Sequence, residues 1–283
     1  MAVTDTLLDW AAHHTPDRIA AVGVMAVRAR RYLSEGAAPA LESIPNLRVR
    51  VRGHAERPFW HASTGLYGFL GLPPGEVRIE IEDPAGRWQA QAISALVPDR
   101  SALRLALEKG SALPAVPAPA YPEAALRPAP AIALAPGLSA IWGVVREAGR
   151  AVAGALLECD TVRNGLADRV TGTSGADGSY LLVLPGEALD RSHSPPHTRF
   201  ARDLTVRAPR PALAAALARE GFIAALPANV FALSMAARDA LFTPQDFQLR
   251  DAAGVVHPPV GGHNPQATIA AGERVRLDIE LSP

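Results

Sequence analysis

Four histidines, His193, His197, His257 and His263, fall in loop-like stretches of the C-terminal half, and theirs are the side chains best suited to hold a metal ion. Neutral imidazole is a common zinc ligand, but a site needs spacing that brings its ligands together. His193-Ser-Pro-Pro-His197 cannot present two ligands from one helical face, because the paired prolines break a helix. No motif of the H-E-x-x-H kind accompanies it. The four histidines are therefore weak metal candidates, and neither a metal nor a cofactor is expected. Ser174, Asp177 and Ser179 have the types of a nucleophile and an acid, yet a turn accounts for all three. Glu80, Glu82 and Asp83 read as an outward strand face rather than an acid–base pair. Cys159 is the only cysteine, so no intrachain disulfide can form. It lies in an apolar run with no histidine nearby in sequence to lower its pKa, which reads as a small core residue. No glycine-rich phosphate loop precedes a helix. Catalysis is not expected.

The elements that would position these residues centre on Gly143 to Leu184, which reads as three short strands and two turns. Two apolar runs, around Val145 and around Leu157, flank Glu147-Ala-Gly149-Arg150, where Gly149 supplies the positive φ of a tight hairpin. Ala176-Asp177-Gly178-Ser179 is a second turn: Asp177 bonds its own backbone and Gly178 takes the left-handed position. A strand from Tyr180 to Leu184 follows and stops at Pro185-Gly186.

Those residues carry a resemblance to the carboxypeptidase regulatory-like family of small transthyretin-like β-sandwiches. The family's pattern of G-x-V, V-x-G-A and D-G-x-Y falls on Gly143 and Val145, on Val152, Gly154 and Ala155, and on Asp177, Gly178 and Tyr180. The strand that usually follows the Pro-Gly turn is not there. The resemblance implies a seven-strand sandwich and no activity, because its motif is turn chemistry and the H-x-x-E signature of metallocarboxypeptidases is absent.

Gly65 to Glu76 matches Gly178 to Glu187 with two extra residues, Pro74-Gly75 standing where Pro185-Gly186 stands in the second copy. The expected architecture is mainly β, with two tandem transthyretin-like sandwiches and a short helical insertion in the second. An N-terminal helical arm covers 1–18 and the first sandwich 19–110, closed by a strand near Leu103 to Leu107. A Pro- and Ala-rich linker covers 111–137, extended and semi-rigid. The second sandwich covers 138–283 and borrows Arg202 to Ala208 for its missing strand. Its insertion, about 209–245, holds one helix from Pro211 and another from Asn229 to Leu241. A hairpin over Gln248 to Val256 pairs beside the second sandwich.

Composition narrows the function classes. Formal net charge is zero, and one residue of the 28 Lys plus Arg is lysine, so no general field attracts nucleic acid or an anionic membrane. No signal peptide and no transmembrane run is read, hence an expectation of cytoplasmic location, with membership of an assembled particle as a further expectation. The leading expectation is a non-enzymatic structural, adaptor or binding protein, similar to accessory proteins of phage-tail-like or contractile injection particles. A carbohydrate-binding module is the alternative, and a degenerate metal-dependent enzyme a more distant one. A protein partner or self-association is expected, with carbohydrate as the other ligand class. Candidate partner surfaces are the alternating Arg48, Arg50 and Arg52, a loop Trp60, and Leu213 with Leu217, four apart on one helical side. For the two leucines, packing within the second sandwich competes with an exposed docking patch.

Overall fold

A computed structural model describes residues 23–31, 43–55, 57–97, 99, 109, 122–134, 137–163, 166–184, 199–257 and 265–282. The expected arm over 1–18, the strand near 103–107, Pro185, Gly186, His193, His197 and His263 lie outside the described residues.

The architecture is mainly β, with sheets packed as sandwiches around two separate apolar clusters. In the first unit β1 (Gly23–Arg31) pairs antiparallel with β4 (Leu66–Leu72) and parallel with β7 (Glu123–Leu126), while β3 (Phe59–His61) adds to the far side of β4. The facing sheet is β2 (Arg48–Val51), β5 (Gly75–Glu82) and β6 (Gln91–Val97), all antiparallel. Alternation puts Val49, Val51, Ile79, Ile81 and Ile93 inward, where they meet Tyr67, Phe69 and Leu126.

The second unit repeats this plan. β8 (Ser139–Glu147) pairs antiparallel with β12 (Ser179–Leu184) and parallel with β18 (Arg274–Leu281). Opposite lie β10 (Leu156–Arg163), β11 (Leu166–Thr173), β13 (Arg199–Pro209) and β17 (Gln266–Ala270). Thus β4 and β12, the two copies of the sequence repeat, occupy equivalent places. Tyr67 and Tyr180 are their buried tyrosines, and each donates its hydroxyl to a main-chain carbonyl, Ile44 at 2.8 Å and Leu277 at 2.6 Å.

Three expectations need correction. The stretch assigned to an extended linker contains β7, which completes the first unit by parallel pairing at Arg28↔Glu123 through Arg31↔Leu126; its Glu-Ala-Ala-Leu core has no proline, so nothing prevents a ladder. The turn at Gly149 (φ +76) closes only the short β9 (Arg150–Ala151) onto β8, and the following apolar run crosses to the other sheet as β10. The second insertion helix is broken. Asn229 at φ +53 opens a 3-10 turn (Val230–Ala232), and Ser234 caps a separate helix. The other elements fall as read: β13 supplies the displaced strand, and β15 (Phe247–Asp251) with β16 (Val256–His257) forms a hairpin beside β18.

The insertion holds α1 (Pro211–Glu220), α2 (Phe222–Ala225) and α3 (Met235–Leu241), and returns through β14 (Phe242–Pro244) onto β13. Leu213 and Leu217 are buried with Leu156, Val230 and Phe242. They are core of the second unit, not an exposed partner surface, because the sheet residue Leu156 turns away from the sandwich interior and needs a cover.

Candidate functional site

Of the residues singled out for chemistry, Ser174, Asp177 and Asp83 are engaged with backbone. Ser174 is fully buried, donates its hydroxyl to Val152 O at 2.6 Å and accepts from Ala155 N at 2.9 Å, which leaves no nucleophile. Asp177 accepts from Ser179 Oγ at 2.7 Å and Ser179 N at 3.0 Å, and the hydroxyl bond in particular holds its carboxyl below the usual range. Gly178, at φ +77, has Val145 O only 2.8 Å from where a Cβ would sit. Cys159 is fully buried among the second unit's core residues. Tyr180 is fully enclosed, and burial drives its hydroxyl pKa well above 10. Asp83 belongs to a turn: it accepts from Ala85 N and Arg87 N at 3.0 Å and from Arg87 Nε at 3.1 Å. Burial pushes that carboxyl up, but the Arg87 side chain and the two amides outweigh it and hold the pKa low.

Among the described residues no three His, Cys, Asp or Glu side chains converge. His257 lies on the β15–β16 hairpin, its Nε2 3.4 Å from Asp251 Oδ2. The described residues contain no helix long and apolar enough to cross a membrane, which says nothing of crossing by strands.

Two of the three stripe arginines, Arg48 and Arg50, have acidic partners within the chain. Antiparallel register sets Arg48 opposite Glu82 and Arg50 opposite Glu80, with ion pairs of 3.0 and 3.5 Å. The Arg48–Glu82 pair is exposed and contributes roughly 0–1 kcal/mol, whereas Glu80, read as part of an outward face, is buried at 8% exposure beneath Arg50. Trp60 sits on edge strand β3 rather than in a loop, 36% exposed, with its ring centroid 4.7 Å from that of Tyr67. Trp88 packs on the first core, and the guanidinium groups of Arg274 and Arg276 lie 5.2 and 5.4 Å from the centre of the Trp142 ring. No common aromatic platform joins the three.

What the structure assembles instead is a junction between the two units, built from both sides. From the first unit, Arg78 on β5 donates Nη2 to the carbonyls of Ile223 (3.2 Å), Ala224 (3.1 Å) and Leu226. These are carbonyls at and just past the end of α2, where the partial negative charge of a helix terminus gathers. Burial lowers the Arg78 pKa, opposed by nearby Glu80. From the second unit, Asn229 donates its backbone N–H to Ala92 O at 2.8 Å and accepts from Ser94 N at 3.3 Å through Oδ1, both on the open edge of β6. Its left-handed φ of +53 turns backbone and side chain toward that edge together.

The capping is reciprocal. Arg127, just past β7 and 5% exposed, donates Nε to Thr171 O at 3.1 Å and Nη2 to Thr171 Oγ1 at 2.9 Å. Gln89 accepts from Thr173 N at 3.0 Å. Thr171 and Thr173 belong to edge strand β11, so side chains of the first unit stand where a neighbouring strand would. The Arg127 guanidinium also lies 3.3 Å from the centre of the Phe231 ring, a cation–π contact that draws the insertion into the same joint. Arg238 of α3 pairs with Glu158 on β10 and donates Nε to Leu233 O at 3.1 Å, which ties the insertion to its own sheet. Sequence reading missed Arg78, Gln89, Arg127, Asn229 and Arg238. A lone arginine in a Pro- and Ala-rich stretch was the available signal for Arg127; the others carry none, since each looks like an ordinary surface residue.

No family model matches the chain, and no curated protein matches it. Solved structures similar to it include the Bacillus anthracis TIE protein (10% identity, TM-score 0.23, covering 92% of this chain and 34% of that one) and a Streptococcal ancillary pilin (9%, TM-score 0.22, 92% and 63%). The minor pilin GBS52 of Streptococcus agalactiae is another (10%, TM-score 0.20, 92% and 96%). The chain spans about a third and less than two thirds of the length of the first two. Likeness at this level carries no argument about activity or partners.

Proposed function

We propose that the chain is a non-enzymatic structural or binding protein in which two transthyretin-like modules, the first ending at β7, are held in fixed relative orientation by the helical insertion. The observation that carries this reading is the two-way capping of β6 by Asn229 and of β11 by Arg127. Among the described residues, Ser174, Asp177, Ser179 and Asp83 serve turns, and Arg78, Gln89, Arg127 and Asn229 serve this joint. A pair of sandwiches with a polar, directional joint is suited to presenting surfaces at a set spacing. Accessory subunits of phage-tail-like or contractile injection particles are the class of protein that this favours. Native-lysate pull-down followed by size-exclusion chromatography tests the reading: co-elution with stoichiometric particle proteins is expected, and a chain recovered alone from its native host sinks it. Trp60, partly exposed and held at a fixed angle by Tyr67, favours carbohydrate as the second reading. Glycan binding abolished by Trp60→Ala supports that reading, and its absence removes it.

A further inference from the structure

The joint between the units differs in kind from the interior of either. Each of the three apolar clusters formed by the described residues lies within one unit: Ile44 to Leu126 in the first, and Ile141 to Leu281 with the Leu156–Leu213–Phe242 group in the second. Among the described residues, hydrogen bonds and the Arg127–Phe231 cation–π contact carry the connection beside a small apolar contact in which Ala92 and Leu226 are buried, and water replaces the polar bonds when they open. Polar joints of this sort separate far more readily than apolar ones. Opening leaves the backbone groups of Ala92, Ser94, Thr171 and Thr173 without partners on two sheet edges, and such edges recruit another chain.

The tether permits this. Twelve residues, 127–138, join the end of β7 at Leu126 to the start of β8 at Ser139, which spans about 40 Å when extended. Arg127 to Ala129 are buried and held to the first unit, Gln89 N donating to Arg127 O and Ala129 N to Arg87 O, both at 2.8 Å. Residues 130–138 are therefore the length left to span, about 30 Å when extended, with Arg274 Nη2 to Pro130 O at 2.9 Å a tie to the second unit.

We propose that the joint is a releasable clasp that also closes between two copies of this chain, the insertion of one capping β6 of the other. A second copy is the occupant because it offers the same contacts, Asn229 to Ala92 and Ser94, Arg78 to the end of α2, and Arg127 to Thr171. Since the contacts are identical in both forms, the balance rests on the tether alone. Short tethers give effective concentrations on the order of millimolar, and the prolines at 128 and 130 stiffen this one. Exchange therefore becomes significant as chain concentration approaches that range, and brief exposure to mild urea speeds it. Where each copy engages a different neighbour the contact is head-to-tail, and the product is a ring or a filament.

Two full-length chains, Ser94→Cys and Asn229→Cys, test this when mixed and treated with a short bismaleimide; Cys159 is fully buried and does not compete. The doubly substituted chain, diluted, reports closure within one copy as an internal cross-link. The expected result is a mixed covalent dimer that rises at least tenfold between micromolar and near-millimolar concentration and is absent from either variant alone. Wild-type chain held near millimolar concentration should give dimers by light scattering that return to monomer at micromolar concentration, which covers the case of a variant that fails to fold. Internal cross-linking without any mixed dimer overturns the proposal, as does a wild-type chain that stays monomeric, or no cross-link in the double variant. Partner capture by the wild-type chain is a separate readout, so exchange fails or stands independently of the assembly role.

Discussion

Arg127 sets its Nε 3.1 Å from both the carbonyl and the hydroxyl of Thr171, and its Nη2 2.9 Å from the same hydroxyl. One guanidinium thus takes the place of a strand at the edge of β11, while its face rests on Phe231. Replacement by Met keeps the volume and removes every donor, leaving two buried acceptors, which costs about 1–3 kcal/mol. Urea unfolding should show that loss, with the two units melting less cooperatively. Arg127→Lys should recover little, because a single ammonium cannot reproduce the fork or the stacking. Full recovery by Lys would mean that charge alone matters there.

Gly178 and Gly149 both have positive φ, +77 and +76, but differ in space. A Cβ at Gly178 meets Val145 O at 2.8 Å, whereas one at Gly149 meets nothing within 4 Å. Gly149→Ala should therefore cost only the left-handed penalty of about 1–2 kcal/mol. Gly178→Ala should cost clearly more, and Gly178→Val more again. Equal losses at the two sites in chemical denaturation would show that the clash at Gly178 is relieved without cost.

Tyr180→Phe should leave the carbonyl of Leu277 without the donor seen at 2.6 Å in the second core, a loss of about 1–3 kcal/mol with no change of volume. Tyr67→Phe acts twice. Its hydroxyl donates to Ile44 O and accepts from Leu47 N at 2.9 Å, so the segment entering β2 loses both ties. Thermal melts of the two variants should rank Tyr67→Phe as the more damaging.

Much of the fold is legible because local chemistry dictates it. Asp177-Gly178 is a turn in any context, and the period-two runs at Val49 and at Val275 name strands. The strand at Glu123–Leu126 was hidden because prolines on either side dominate the composition, while pairing to β1 is a tertiary choice. The joint was hidden for a different reason. Arg78, on a strand of alternating charge, looks solvated, and only the fold reveals that the end of α2 lies against it.

Acid should weaken the fold through the carboxylates that turns hold in the charged form. Asp83 and Asp177 both have folded pKa values below the unfolded value of about 3.9. The unfolded chain then binds the proton more readily. Their stabilisation is complete above about pH 5, a unit above the unfolded value, and is lost progressively as pH falls through the folded values. Stability measured from pH 5 to pH 2 should decline, and Asp83→Asn should flatten that decline while lowering stability at pH 7. An unchanged slope would mean that Arg87 and the amides of Ala85 and Arg87 do not hold the charge.

Leu213 and Leu217 lie one helical turn apart on α1, and both are buried against Leu156, Val230 and Phe242, with Phe222 and Leu241 packed around them. Replacing Leu217 by Ala should cost about 2–5 kcal/mol, the range for a buried leucine whose surroundings relax only partly. Leu217→Ser should cost more, since a hydroxyl enters without a partner. The loss should spread to the joint, because α2 and Asn229 are carried by the same insertion. Protection of the amides of Ser94 and Thr173 from hydrogen exchange should fall together, although neither residue touches Leu217 in the cluster. A destabilised cluster with the amide of Ser94 still protected would show that the insertion grips β6 independently of its own packing.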